Sequence, residues 1–212
     1  MQILLISNEQ QPDQLWGNPF PFDGWSVTVA KEPTAELLHA CGFCIDLSFD
    51  EAIHRVHIYK TSGTPVMINS CVYTLEELQI TNEPILRFNH WPSFRERAKL
   101  EIAAHESALA VVEPVFQQWK IQFEITADVP GFVSARIISM IINEAFLALD
   151  EQVSIHKEID TAMKLGTNYP KGPFEWCDMI GAAKICSLLE KLSLTQPRYL
   201  PAALLKQKAH EQ

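Results

Sequence analysis

The spacing of apolar residues changes once along this 212-residue chain, at Asp128–Gly131. Before that point, short apolar runs of strand length alternate with short helical patterns. After it, apolar residues recur only at the three- and four-residue spacing of helices. Strand-length runs separated by helices are typical of a parallel sheet covered on both faces. We therefore predict an α/β domain over residues 1–128 and an all-α domain over residues 129–212.

The same spacing predicts the individual elements. Predicted strands are 3–7, 26–30, 43–47, 66–69, 85–88 and 121–125, and predicted helices of the first domain are 34–40, 50–59, 74–78 and 103–119. In the second domain we predict a helix over 132–149, a second helix capped by Ser154 and ended by Gly166, and a third over 174–192 with Pro173 in its first turn. Pro197 and Pro201 open a short last helix.

The connection between the first two predicted strands, residues 8–24, has an unusual composition. It holds three prolines and two glycines, so it cannot form the full helix that follows the first strand of a doubly wound nucleotide-binding fold. It also lacks the GxGxxG turn whose N–H groups hold a pyrophosphate, and Glu9 adds a carboxylate where phosphate would lie. The sequence therefore predicts a shortened Rossmann-like sheet with no dinucleotide cofactor bound.

The aromatic residues of this connection, Trp16, Phe20 and Phe22, allow two interpretations. They line a ligand crevice, or they cover the part of the sheet that a missing helix leaves open. We favour the second interpretation, because a large apolar side chain on a sheet face is more often buried than ligand-binding.

Charge and cysteine content exclude several classes of function. The formal net charge of −9 argues against a nucleic-acid partner, which requires clustered Lys and Arg. The chain has no apolar stretch of about 18 residues that would span a membrane, and its opening residues fit a first strand better than an export signal. Five cysteines without an export signal favour free thiols in the cytoplasm.

Cys41 and Cys44 have the CxxC spacing of zinc and redox sites. A structural zinc site needs a second ligand pair, and none follows at a suitable distance. A redox pair lies at a helix start, whereas Cys44 lies in a predicted strand. We therefore interpret both as buried thiols and predict no metal.

The second domain resembles a known family. The run PGFVSARIISMIINEA at 130–145 resembles the start of the C-terminal domain of 3-hydroxyacyl-CoA dehydrogenases, and the similarity continues through residues 159–166, 170–181 and 198–205. A fainter similarity covers residues 44–51, 67–71, 88–92 and 99–102. The resemblance implies a Rossmann-like domain followed by a helical domain that pairs into a homodimer.

The resemblance also implies positions for the reacting groups. The family takes the hydroxyl proton with a histidine that a glutamate orients, and Glu101 matches that glutamate. The histidine position is Phe88 when counted from the following proline and Asn89 when counted from Glu101, while His90 lies beside both. Cys71 replaces the family's substrate-binding serine. The candidate catalytic residues are therefore His90, Glu101 and Cys71.

Two further positions depart from the family pattern. Trp91 and Ala135 stand where the family has asparagines that hold the substrate and nicotinamide. Substitutions thus concentrate on reacting and cofactor-binding positions, while packing residues are kept. We expect a 3-hydroxyacyl-CoA dehydrogenase-like protein without NAD-dependent activity that binds an acyl-CoA, a related small ligand or a partner protein.

Two alternatives remain open, so the residues do not decide whether the chain is an enzyme. One is a divergent but active NAD-dependent 3-hydroxyacyl-CoA dehydrogenase of fatty-acid metabolism that uses His90 and Glu101. The other is a structural module that forms a homodimer through its helical domain. NAD is expected as a cofactor only under the first alternative.

Overall fold

The computed structural model describes residues 1–8, 12, 14–15, 18–91 and 99–211. The chain forms two compact units. The first, which we call the sheet unit, comprises Met1–His90 and Phe94–Phe132; the second, the helical unit, comprises Trp91–Ser93 and Val133–Gln212. Within the described residues, no helix is long and apolar enough to cross a membrane.

The sheet unit is built on a seven-stranded sheet. Its strands are β1 (Gln2–Ile6), β4 (Ser26–Ala30), β5 (Phe43–Asp46), β6 (Val66–Asn69), β7 (Ile85–Phe88), β8 (Leu100–Ala103) and β9 (Phe123–Ile125), and a separate small hairpin joins β2 (Gln14–Leu15) to β3 (Asn18–Pro19). The strand order is β4-β1-β5-β6-β7-β8-β9. The β7–β8 pair is antiparallel and the other pairs are parallel.

Each unit contains helices, and those of the sheet unit pack on both faces of the sheet. The sheet unit contains α1 (Ala35–Ala40), α2 (Val56–Ser62) and α3 (Glu106–Gln118), and the helical unit contains α4 (Ser134–Asp150), α5 (His156–Thr167), α6 (Pro173–Ile180), α7 (Ala182–Ser193) and α8 (Ala203–His210). The prediction of an α/β region followed by an all-α region is confirmed. One sheet face packs against α1 and α2, and the other against α3 and the 14–25 segment.

The 14–25 segment fills the core in place of a helix. Leu15, Phe20, Phe22 and Trp25 are all buried against β1, β5 and α3. The Phe22 ring stacks on Trp119 at the end of α3, with 4.4 Å between ring centroids. The interpretation that these aromatics cover the sheet is confirmed for Phe20 and Phe22; Trp16 lies outside the described residues.

Several predicted element boundaries were wrong. Residues 74–78 form a single turn, not a helix, and the turn ends at Gln79 with a positive φ of 55°. The helix predicted from residue 103 begins at Glu106, because Leu100–Ala103 instead forms β8. The segment predicted as a helix over 50–59 forms two short 3-10 turns before α2 begins at Val56.

Boundaries in the helical unit also differ from the prediction. The third helix is broken at Gly181, whose φ of 98° is unfavourable for other residues, into α6 and α7. Helix α5 ends at Thr167, since Asn168 and not Gly166 adopts the left-handed conformation. Ser154 bonds the carboxylate of Glu158, while Ile155 occupies the cap position.

Candidate functional site

Three buried side chains meet where β6 and β7 end and β8 begins. The antiparallel register pairs Phe88 with Ile102, so the next residue, Asn89, lies opposite Glu101. The Asn89 backbone N donates to the Glu101 carbonyl over 3.1 Å. Directly opposed residues of an antiparallel pair direct their side chains to the same face. Accordingly, Nδ2 of Asn89 donates to Oε2 of Glu101 over 2.9 Å.

Cys71 completes this row of side chains. Its Sγ lies 3.4 Å from Oδ1 of Asn89, with the thiol as the donor, and all three residues are buried. The Asn89 amide therefore accepts from the thiol at one end and donates to the carboxylate at the other. A neutral amide does not accept a proton at physiological pH. The row can orient a polar group, but its central member cannot act as a general base.

His90 is placed differently from Cys71 and Glu101. Alternation along an extended chain directs residue 90 to the face of Phe88 and away from the face of Asn89. The His90 and Phe88 ring centroids lie 6.0 Å apart. The His90 backbone N donates to Oδ1 of Asn69 over 3.0 Å. The structure thus brings Cys71 and Glu101 to Asn89, while the His90 ring lies against Phe88.

Asp50 fixes the turn that carries Cys71. Its carboxylate accepts hydrogen bonds from the backbone N of Cys71 (2.7 Å) and Val72 (3.3 Å) and from the Ser70 hydroxyl (3.1 Å). Burial raises the pKa of Asp50 to about 6, although these donors oppose the shift. The sequence offered no signal for this role, because the contacts join residues twenty or more positions apart.

Arg87 is a fully buried cation on the neighbouring strand. Its guanidinium forms an ion pair of 2.7 Å with Asp128 and donates to the backbone carbonyls of Ser70, Tyr73 and Val129. It also lies over the Phe132 ring, 4.3 Å from the centroid. Burying a charged side chain is unfavourable unless the charge is paired and hydrogen-bonded. Arg87 thus holds the 70–73 turn and the 128–132 segment together.

A second polar cluster occupies the topological switch point of the sheet. Strand β1 lies between β4 and β5, and doubly wound folds bind ligands outside the carboxyl ends of strands at such a point. Asp46 ends β5, and Arg55 forms ion pairs with Asp46 at 3.2 Å and with Glu32, which follows β4, at 2.7 Å. The Tyr59 hydroxyl donates to Asp46 over 2.8 Å. This edge of the sheet therefore contains an ion-pair network of Arg55 with Asp46 and Glu32.

Burial and hydrogen bonding shift the pKa values of the acidic residues in this network. Desolvation raises the pKa of Asp46, and the Tyr59 and Arg55 donors oppose that rise. For the exposed Glu32, the hydrogen bond from Arg55 lowers the pKa. Just beyond β1, the Asn8 amide donates to the Glu51 carboxylate over 3.0 Å. The described groups at this edge thus include the acidic residues Asp46, Glu32 and Glu51 and the cations Arg55 and Lys31.

The helical unit contains a groove of about 540 Å³. One side of it is the α4 stripe, which we define as Arg136, Ile137, Met140, Ile141 and Glu144. Ile137, an apolar residue of this stripe, is 54% exposed. Among the described residues, no group of three or more His, Cys, Asp or Glu side chains could hold a metal ion.

Several residues that make buried polar contacts were not identified from the sequence patterns. Asn89 could have been identified from the sequence, because the expected histidine position, counted back from Glu101, is residue 89. Arg55 and Arg87 were missed, since a charged residue inside a short apolar run does not reveal a partner elsewhere in the chain. Of the two CxxC thiols, Cys44 is buried as predicted and Cys41 is half-buried, and both are free.

Comparison with known proteins identifies the helical unit. Residues 131–212 match the family profile described as the 3-hydroxyacyl-CoA dehydrogenase C-terminal domain. The chain is 46% identical over 95 residues to a 3-hydroxyadipyl-CoA dehydrogenase of Escherichia coli, a match that covers 44% of this chain and 20% of that protein. It is 38% identical over 105 residues to a probable 3-hydroxybutyryl-CoA dehydrogenase of Bacillus subtilis, covering 49% of this chain and 36% of that protein.

The fold of the whole chain also has a solved relative. The (S)-3-hydroxybutyryl-CoA dehydrogenase of Ralstonia eutropha superposes with a TM-score of 0.71 and 25% identity, covering 87% of this chain and 70% of that chain. The matches to the two curated relatives span only a fifth to about a third of their lengths. Residues 131–212 therefore match the 3-hydroxyacyl-CoA dehydrogenase C-terminal domain, and the chain has the fold of these dehydrogenases over most of its length.

Proposed function

We propose that this protein is a 3-hydroxyacyl-CoA dehydrogenase-like protein that does not catalyse NAD-dependent oxidation. The observation that carries the proposal is the hydrogen bond between Asn89 and Glu101. In the family, as the sequence resemblance implies, a glutamate orients a histidine base. Here an amide is bonded to the matching glutamate, and an amide has no basic lone pair to accept the hydroxyl proton.

The switch point supports the same proposal. A dinucleotide needs backbone N–H donors and a site free of negative charge for its pyrophosphate. The described residues there include the carboxylates Asp46, Glu32 and Glu51, and the cation Arg55 is committed to Asp46 and Glu32. These residues do not fit NAD, and we derive no step through it.

An acyl-CoA or a related small ligand remains the proposed binding partner. Cys71 and Asn89 are polar groups placed where the family resemblance implies contact with the substrate oxygen. Binding needs hydrogen-bond donors but no proton transfer, so it is compatible with an amide at the centre of the row. Five free cysteines fit a reducing compartment, and the proposal therefore places the protein in the cytoplasm.

The test is NADH-dependent reduction of acetoacetyl-CoA by the wild type and by the variants His90→Ala and Asn89→His. The proposal predicts no turnover by any of the three proteins, because the cofactor site is altered as well as the base. Turnover by the wild type that His90→Ala abolishes would instead establish the alternative, an active dehydrogenase that uses His90. A thermal shift with acetoacetyl-CoA tests ligand binding separately.

We further propose that the helical unit forms a homodimer through the α4 stripe. The stripe has Arg136 at one end, Glu144 at the other and Met140 midway between them. Two copies of α4 packed antiparallel about Met140 place Arg136 opposite Glu144 of the partner subunit, so the surface is complementary to itself, as an isologous interface requires. The exposed Ile137 would be buried in that contact.

Sedimentation equilibrium tests this interface. Ile137→Glu places a second carboxylate in the stripe and should remove the α4 contact, so that the mass falls below that of the wild type. Leu165→Glu is the matched control, because Leu165 is 82% exposed and does not line the groove. If Ile137→Glu keeps the wild-type mass, the α4 stripe is not the interface.

A further inference from the structure

Strand β4 forms one edge of the seven-stranded sheet. Among the described residues, no strand pairs with its outer side. Ser26 and Val29 are exposed and Val27, Thr28 and Ala30 are half-buried, whereas the central strands β5, β6 and β7 are buried throughout. In the described part of the chain, the outer side of β4 is thus unpaired, and its five residues are either exposed or half-buried.

Two hydrogen bonds between β1 and β4 show which backbone groups of β4 point outward. The Ser26 backbone N donates to the Met1 carbonyl, and the Ala30 carbonyl accepts from the Ser7 backbone N. Backbone groups of a strand point alternately to its two sides, so residues 26, 28 and 30 bond β1. The N–H and C=O groups of Val27 and Val29 consequently point away from the sheet.

The opposite edge of the sheet, β9, differs in charge. Its central residue, Glu124, forms an ion pair of 2.8 Å with Lys99, and a charged side chain on an edge strand disfavours pairing with another chain. Self-pairing of β9 would also place two copies of Glu124 close together. Strand β4 reads Ser-Val-Thr-Val-Ala and carries neither charge nor proline, so it lacks this protection.

We propose that the β4 edge pairs antiparallel with the β4 edge of a second copy of this chain. Pairing about Thr28 places Val27 opposite Val29 of the partner subunit, and these are the residues whose N–H and C=O groups point outward. Opposed residues of that kind exchange two hydrogen bonds. The same register sets Thr28 opposite its own copy, and Thr–Thr pairs are favourable across strands.

A second copy is the occupant that the strand fits best. The edge is identical on both molecules, has a central residue for the two-fold axis, and brings no like charges together within the strand. The overall charge of −9 repels the two copies at longer range. Because salt screens that repulsion while leaving backbone hydrogen bonds intact, association through β4 should strengthen as salt is added.

This interface is independent of the proposed α4 interface and of the proposed function. A chain with two isologous interfaces on different surfaces assembles beyond the dimer. The two proposals together therefore predict species larger than a dimer at high protein concentration, and each can fail without the other.

Sedimentation velocity over a range of protein concentrations tests the β4 interface with Val29→Lys. Val29 is 40% exposed, so the lysine should be tolerated in the fold while it charges the edge. The control is Ile125→Lys on β9, which is 58% exposed. We expect Val29→Lys to lower the wild-type mass and Ile125→Lys to leave it unchanged, with circular dichroism confirming that both variants fold.

The Ile137→Glu background separates the two interfaces. In that variant the β4 contact should still give a dimer, and adding Val29→Lys should leave a monomer. The β4 proposal is overturned if Ile137→Glu is already monomeric at high micromolar concentration, or if Val29→Lys and Ile125→Lys lower the mass equally. A wild-type dimer that Val29→Lys does not alter would also overturn it and would leave the α4 interface standing.

Discussion

Nδ2 of Asn89 donates a hydrogen bond of 2.9 Å to Oε2 of Glu101, across an antiparallel pair of strands whose backbones are also bonded at these two residues. The two side chains are thus held by register as well as by their own contact. The Asn89 amide is held by Glu101 in the way that the family resemblance implies for a histidine, but the amide is not basic. The retained geometry explains why the fold tolerates the change, and the lost basicity carries the proposed loss of catalysis.

The first prediction concerns Asn89 itself. Asn89→Ala removes a buried donor to a carboxylate and should lower the free energy of unfolding by about 1–3 kcal/mol. Asn89→Asp keeps the size but sets two carboxylates side by side, which raises their pKa values. A raised pKa in the folded state means that stability falls as pH rises, so Asn89→Asp should recover stability on acidification and Asn89→Ala should not. Urea denaturation at neutral and mildly acidic pH measures both.

The second prediction concerns the ion-pair network at the switch point. Arg55→Met leaves the buried Asp46 without its cation and should cost about 3–5 kcal/mol in urea denaturation, as expected when one partner of a buried pair is removed. Glu32→Gln breaks the other ion pair of Arg55, but the Glu32 side chain is 60% exposed. Its cost should be about 1 kcal/mol or less. Equal costs for the two variants would contradict a buried network centred on Asp46.

The third prediction concerns pH and Asp50. Its pKa is raised from 3.8 to about 6 in the folded protein, so the unfolded chain loses this proton first as pH rises. The contribution of Asp50 to stability therefore falls between about pH 4 and pH 6 and is constant above that range. The difference in unfolding free energy between wild type and Asp50→Asn should change across this window. A difference that stays flat there would show that the Asp50 pKa is not raised.

The fourth prediction concerns the segment that replaces a helix. Phe22 stacks on Trp119 inside the core, and Phe22→Ala should lower the unfolding free energy by about 3 kcal/mol or more. Asp23→Ala, at an exposed neighbouring position, should change it by about 0.5 kcal/mol or less. If both variants are neutral, the aromatic residues do not contribute to the core.

Local patterns predicted much of this fold, and contacts distant in sequence account for what they missed. The 3.6-residue period over 132–149 indicated α4 because one continuous face is buried. Strand β8 was missed because a four-residue apolar run does not distinguish a strand from the start of a helix. Gly181 breaks a helical pattern through its backbone conformation, which the apolar spacing does not record.

The candidate site was likewise predicted only in part from the sequence. Cys71 and Glu101 were identified from the family resemblance, and the structure brings both to Asn89. His90 was preferred over Asn89 because it is the residue type that the chemistry requires. The register of β7 against β8 places Asn89 opposite Glu101, and a register cannot be read from one strand alone.

The most direct test of the central claim is a titration of the wild-type protein with NADH, followed by nicotinamide fluorescence and by thermal denaturation. A ligand at about a hundred times its dissociation constant stabilises the fold by about 2.7 kcal/mol, which is readily measured. We predict no saturable fluorescence change and no shift in Tm, because Arg55, Asp46 and Glu32 occupy the switch point. Saturable binding that NAD displaces would contradict the account and would restore the dehydrogenase as the leading function.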